Sequence, residues 1–192
     1  MITVNKANPT QGEITSSLTG STGDGAGLHF DGAGNIDIAS PPDLGTKFSF
    51  EFVIKADSWD TYQSIIDFGN GGRFQLYTTN GTQLKIYQTS AHDFTGVSVL
   101  GDLKVHHLVL TVDGTSAVLY DNGNQVATTS IESPNIDSCS DAKIGSNYIS
   151  SADSFFNGTI YRARFYNKAL TSAEVQTAYE RADVDYADQY GS

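Results

Sequence analysis

The stretch Val105 to Thr128, VHHLVLTVDGTSAVLYDNGNQVAT, constrains this chain of 192 residues more than any other. It holds three strand-like runs separated by two turn signals. In the first run Leu108, Leu110 and Val112 share one face of a pleated strand, and Val109 and Thr111 share the other. A turn around Asp113-Gly114-Thr115-Ser116 opposes Val112 to Ala117, Leu110 to Leu119 and Leu108 to Asp121, whether the loop counts two or four residues. Asn122-Gly123 suits a two-residue type I′ hairpin, in which both central positions need positive φ, and it places Leu119 opposite Val126. A one-residue slip would turn every apolar side chain to solvent. Agreement at both turns therefore predicts an antiparallel meander with one buried face.

The surrounding chain repeats this grammar. LHFDG and NIDIA read as short strands around the turn Asp31-Gly32-Ala33-Gly34, and Pro41-Pro42 stops the second. In KFSFEFVIKAD, Phe48, Phe50, Phe52 and Ile54 point one way and Ser49, Glu51, Val53 and Lys55 the other, the pattern of a central strand. Trp59 and Tyr62 follow in a polar loop, then QSIIDFG as a strand, and AKIGS is a short strand within the loop-like segment 133–154. The alternation of FFNGTIYRARFYN breaks near Tyr161-Arg162, which predicts a bulge. Thr171-Ser172-Ala173-Glu174 has capping-box spacing, so a short helix is expected near 171–181, docked through Ala169, Leu170, Val175, Ala178 and Tyr179.

The hairpin over residues 73–89 is decided by parity. A two-residue Asn80-Gly81 turn would put opposite faces of RFQLY and QLKIY together. A three-residue loop, Thr79-Asn80-Gly81, instead opposes Phe74 to Ile86 and Leu76 to Leu84. The other face then carries Arg73, Gln75, Tyr77, Gln83, Lys85 and Tyr87, with Arg73 opposite Tyr87, Gln75 opposite Lys85 and Tyr77 opposite Gln83. Because Tyr77 and Tyr87 point away from the core, their removal is expected to change thermal stability little.

Residues 1–26, rich in Gly, Thr and Ser, read as a flexible segment or edge strand; 27–181 form the domain, and 182–192 an acidic tail. Charge and cysteine content exclude several function classes. A net charge of −11 repels a phosphate backbone, so nucleic acid is an unsuitable partner. The single cysteine, Cys139, precludes an intrachain disulfide and a cysteine-based metal site. No stretch approaches membrane-spanning length, and the opening MITVNKANPT lacks the apolar region of a signal peptide.

The order LHFDG, KFSFEFVIKAD, HHLVLTVDG, AVLYDNG, KIGS and FNGTIYRARFYNKALTSAEV resembles a laminin G-like domain of the concanavalin A-like jelly-roll group, over residues 27–181. The most specific part runs from Phe156-Asn157-Gly158 through Glu174. The resemblance implies an all-β sandwich of two antiparallel sheets, one curved, in a family mostly of binding and adhesion modules. It departs from the pattern at Tyr161-Arg162, where many relatives carry an acidic residue, so a calcium ligand there is not implied. The Gly/Thr/Ser lead-in and the DYADQYGS exit resemble modules of bacteriophage tail or capsid proteins, which implies a virion or extracellular setting.

Catalysis by the glycoside hydrolases of this fold group needs two carboxylates about 5–9 Å apart. Among Glu13, Glu51, Glu132, Glu174 and Glu180 no two share a strand four positions apart, and Glu51 stands alone in its strand. His106 and His107 point to opposite faces and cannot chelate one ion together. No enzyme activity is expected. Asp31, Asn35 and Asp37 offer the hard oxygens calcium prefers, as do Asp121, Asn122 and Asn124, although these are also ordinary turn residues. A structural calcium ion is the only cofactor these residues suggest.

Sugar sites pair flat aromatic rings with planar hydrogen-bonding side chains, because pyranoses present apolar faces edged by hydroxyls. The candidate ligand-binding set is Arg73, Gln75, Tyr77, Gln83, Lys85 and Tyr87, with Trp59 and Tyr62 nearby. Three readings stay open for it: a glycan site, a protein contact within a homo-oligomer or virion, and a plain solvated surface. The corresponding functions are a lectin-like adhesion module for a cell-surface polysaccharide and a structural or decoration protein.

Overall fold

The computed structural model describes residues 14–15, 21–23, 27–39, 41–58, 62–69, 74–79, 83–98, 100–134, 136–147 and 154–190, with backbone alone at 14–15, 21–23, 95–98 and 183–190. In chain order the strands are β1 (Ile14–Thr15), β2 (Ser21–Gly23), β3 (Leu28–Asp31), β4 (Ile36–Ala39), β5 (Lys47–Ala56), β6 (Tyr62–Gly69) and β7 (Phe74–Thr79). There follow β8 (Gln83–Tyr87), β9 (Ala91–Ser98), β10 (Val105–Asp113), β11 (Ser116–Asp121), β12 (Asn124–Ser130), β13 (Asp141–Ile144) and β14 (Asn157–Tyr166), then the helix α1 (Ser172–Tyr190). The first sheet has the order β1-β4-β13-β6-β7-β8-β9, the second β12-β11-β10-β5-β14-β3-β2, and every pairing is antiparallel. The chain is thus an all-β sandwich of the expected jelly-roll kind.

Alternation along the strands supplies the core between the sheets. Phe48, Phe50 and Phe52 of β5 are fully buried, as are Phe68 and Phe74 from the facing sheet. The Phe50 ring stacks on Phe68 at 5.4 Å and meets Phe165 and Phe74 edge-on, so one side chain ties its sheet neighbour β14 to β6 and β7 across the interface. Truncating it to alanine would cost about 3–5 kcal/mol.

The meander register holds at the first turn, with Val112 opposite Ala117 and Leu110 opposite Leu119. At the second, Asn122 and Gly123 both have positive φ (48° and 78°), as a type I′ turn demands. Leu119, however, faces Ala127 rather than Val126, because a bulge between Leu119 and Tyr120 leaves Val126 unpaired and exposed. The bulge expected in β14 lies between Ile160 and Arg162; it puts Tyr161 and Arg162 together on the outer face.

LHFDG and NIDIA are strands, but they belong to opposite sheets, so the turn between them crosses the sandwich. Both faces of β5 are buried, since Ser49, Glu51 and Val53 are covered as well. Their cover includes α1 and the residues leading into it: Leu170 and Val175 pack on Val109 and Tyr120, and Ala182 packs on Val53, Val105 and Tyr161. The capping box forms, with the Glu174 N–H donating to Thr171 Oγ1 and the Thr171 N–H to Glu174 Oε2. No glycine or proline interrupts 172–190, and the helix continues through the acidic segment set apart as a tail.

Candidate functional site

The register of the β7–β8 hairpin differs from expectation by two residues. Leu76 opposes Ile86, Gln75 opposes Tyr87, Tyr77 opposes Lys85 and Thr79 opposes Gln83. The loop is therefore residues 80–82, which lie outside the described residues. A shift of two keeps every side chain on its face, so hydrophobic alternation could not choose between the two registers. The inside-outside assignment stands: Phe74, Leu76, Leu84 and Ile86 join the core, while Gln75, Tyr77, Lys85 and Tyr87 share the outer face of the first sheet.

Neighbouring strands extend that face into rows. Ser64 of β6 opposes Tyr77, and Asp93 of β9 opposes Lys85. Asp67 opposes Gln75 on one side and Lys143 on the other, and Lys143 opposes Asp37. A pocket of about 310 Å³ opens on these rows. Gln75, Tyr77, Tyr87 and Tyr62 line it. Tyr62 is the first residue of β6 rather than part of the preceding loop, and its ring stacks on Tyr77 at 6.2 Å and 12°. Tyr62 is 51% exposed and Tyr77 only 7%, so the outer ring shields the inner one. This burial overturns the expectation that Tyr77 could be removed at little cost in stability.

Other candidates fall at the margin. Gln83 is exposed at the start of β8 and Lys85 is held in an ion pair with Asp93 at 2.8 Å; neither lines the pocket. Trp59 and Arg73 lie outside the described residues. Sequence reasoning missed Ser64, Gln63, Ala91, Asn147 and Ser154, all of which line the pocket. Ser64 was findable, because it follows Tyr62 at the two-residue period of a strand. Asn147 and Ser154 come from a distant segment that no local pattern connects to β6.

That distant segment is fixed to the sheet. The Ser64 N–H donates to the Ser154 carbonyl at 3.0 Å, and Asn147 Nδ2 donates to Ser154 Oγ at 3.0 Å. Upstream, Gly145 has φ +84°, and a Cβ there would sit 2.6 Å from the Phe30 ring, so only glycine delivers the chain to Asn147 this way. Gln63 is occupied elsewhere, its amide bridging the Ser58 carbonyl and the Asn157 N–H.

Titratable groups cluster away from the pocket. Glu51, fully buried beside α1, lies 3.4 Å from His107 Nε2, 3.4 Å from Arg164 and 3.6 Å from Arg162, and accepts a hydrogen bond from the Tyr166 hydroxyl. Burial raises its pKa, but the adjacent His107 ring, the Tyr166 hydrogen bond and the charge of Arg164 outweigh that and hold it below the usual value. Its four side-chain partners are a histidine, two arginines and a tyrosine, so no second carboxylate stands beside it among the described residues, and it is fully buried. His106, on the other face, sits between Asp121 (2.8 Å) and Asp102 (2.7 Å).

The expected calcium ligands have protein partners. Asp31 Oδ1 accepts the Ala33 N–H, Asn35 donates to Asp37, and Asp37 also pairs with Lys143. Asn122 accepts the His107 N–H, and Asp121 binds His106. Among the described residues, no group of three or more His, Cys, Asp or Glu is placed to hold a metal ion.

Solved structures of the same fold include carbohydrate-binding modules. One is the CBM40 of a Ruminococcus gnavus sialidase bound to α2,3-sialyllactose, at 19% identity and TM-score 0.64, covering 80% of this chain and 96% of that one. Domain 4 of an extracellular arabinanase from Geobacillus stearothermophilus, in complex with arabinotriose, matches at 19% identity and TM-score 0.67, covering 92% and 86%. The Trypanosoma rangeli sialidase in complex with sialic acid matches at 18% identity and TM-score 0.69 over 90% of this chain, which spans 30% of that enzyme. Among curated proteins none matches this sequence. Residues 30–176 match the family model of the concanavalin A-like lectin/glucanases superfamily, and with most of its length inside that match the chain belongs to this family.

Proposed function

We propose that this chain is a non-catalytic carbohydrate-binding module that holds a glycan on the outer face of the first sheet. The observation that carries this reading is the pocket itself, where the stacked Tyr62–Tyr77 pair adjoins Gln75, Ser64 and Tyr87. Aromatic faces cover the apolar side of a sugar ring, and amide and hydroxyl groups meet its rim. Carbohydrate-binding modules among the similar structures support the same conclusion. The described lining residues include no Asp or Glu to act as acid, base or nucleophile.

A glycan array probed with the wild-type protein and with Tyr62→Ala tests the proposal. Binding by the wild type that weakens in the variant is the expected result. Binding to no glycan, together with self-association through this face, would instead favour a structural or decoration protein. Set in a virion or another extracellular assembly, the module would supply adhesion, so labelled protein should coat glycan-bearing cells and not enzymatically deglycosylated ones.

A further inference from the structure

We infer that the ligand of this pocket is a neutral glycan, with Ser64 Oγ at the pocket floor bonding one of its hydroxyls; the inference rests on the carbohydrate-binding reading above. Every described residue lining the pocket is uncharged, being tyrosine, glutamine, serine, asparagine or alanine. The lysines on the same sheet face are already paired, Lys85 with Asp93 and Lys143 with Asp37. A sialic or uronic acid would have to bury part of its carboxylate here with no cation among the described lining residues to meet it, and that is costly. Carboxylates are normally captured by the fork of an arginine or by a lysine. The net charge of −11 adds a repulsive background for any acidic sugar.

Ser64 supplies the positive half of the argument. It is fully buried, lines the pocket, and its Oγ has no hydrogen-bond partner among the described residues. A hydroxyl both donates and accepts, as a sugar hydroxyl does, so the two are matched whichever way the proton points. An unsatisfied buried hydroxyl is destabilising in the free protein. Its retention beside stacked tyrosines is explained if the ligand completes it.

The test uses the full chain on an array of neutral glycans and their sialylated or uronic counterparts, followed by titration of the best hit. Neutral hits, with affinity unchanged between low and high salt, are expected. Ser64→Ala should weaken that hit about tenfold, while its melting temperature stays equal to or above that of the wild type. Hits confined to acidic glycans, with salt-sensitive affinity abolished by Arg73→Ala, would overturn neutrality and leave glycan binding intact. Unchanged affinity in a Ser64→Ala protein that melts lower would overturn the role of Ser64. Failure to bind any glycan would overturn the function and this inference together.

Discussion

The Tyr62 and Tyr77 rings lie parallel at 6.2 Å, the first half exposed and the second almost wholly covered. They should respond differently to truncation. Tyr62→Ala removes a half-exposed ring and its stacking on Tyr77 and should cost only about 0.5–1.5 kcal/mol, while glycan affinity falls about tenfold. Tyr77→Ala empties a buried site and should cost about 3–5 kcal/mol. Denaturant melts of both variants, read alongside binding, check this; equal stability losses would mean that the stacked arrangement is not present in solution.

Glu51 is expected to act on stability and not on catalysis. Glu51→Gln leaves Arg162 and Arg164 beside an uncharged partner, and breaking such a buried pairing should cost about 3–5 kcal/mol. The folded pKa of Glu51 lies below its ordinary 4.5, so its contribution is present above that pH and is lost as pH falls through the lower folded value. Urea melts across acidic pH should therefore show the gap between wild type and variant closing toward low pH. Polysaccharide hydrolysis that disappears in the variant would contradict the account.

His106 gives the opposite pH signature. Burial lowers its pKa, but the hydrogen bonds to Asp121 and Asp102 and their charges carry it above 6.5. A raised folded pKa stabilises fully below 6.5, and the benefit is lost as pH rises through the folded value. Asp102, held below 3.8 by His106 and the Lys104 N–H against its own desolvation, sets the lower limit of the window. The melting-temperature difference between wild type and His106→Gln should peak in mildly acidic buffer and shrink on either side. A difference that grows from neutral to alkaline pH would refute the pairing.

We propose that any calcium ion at Asp31, Asn35 and Asp37 competes with Lys143, which already pairs with Asp37. Added calcium should then raise the melting temperature more in Lys143→Met than in the wild type. No rise in either protein would remove calcium from this turn.

Side-chain alternation exposed the fold because a strand with one buried face repeats every two residues. It placed Phe50 and Leu110 in the core and Tyr77 and Tyr87 outside, and the capping box at Thr171 located the helix start. Alternation cannot register a displacement of two, which is why the β7–β8 partners differ from expectation while every side chain keeps its face. The unpaired Val126 escaped for a related reason, since a bulge adds a residue without leaving a turn signal. The lining residues Asn147 and Ser154 reach the pocket through hydrogen bonds with each other and with Ser64, far away in the sequence. The four side chains around Glu51 escape local patterning because they come from β10 and β14, far along the chain.

Backbone amide NMR on titration with the best array hit shows whether the glycan sits on the outer face of the first sheet. Shifts concentrated at Tyr62, Ser64, Gln75, Tyr77 and Tyr87 are the predicted result. Shifts confined to the second sheet or to α1, with those five amides unmoved, would contradict it.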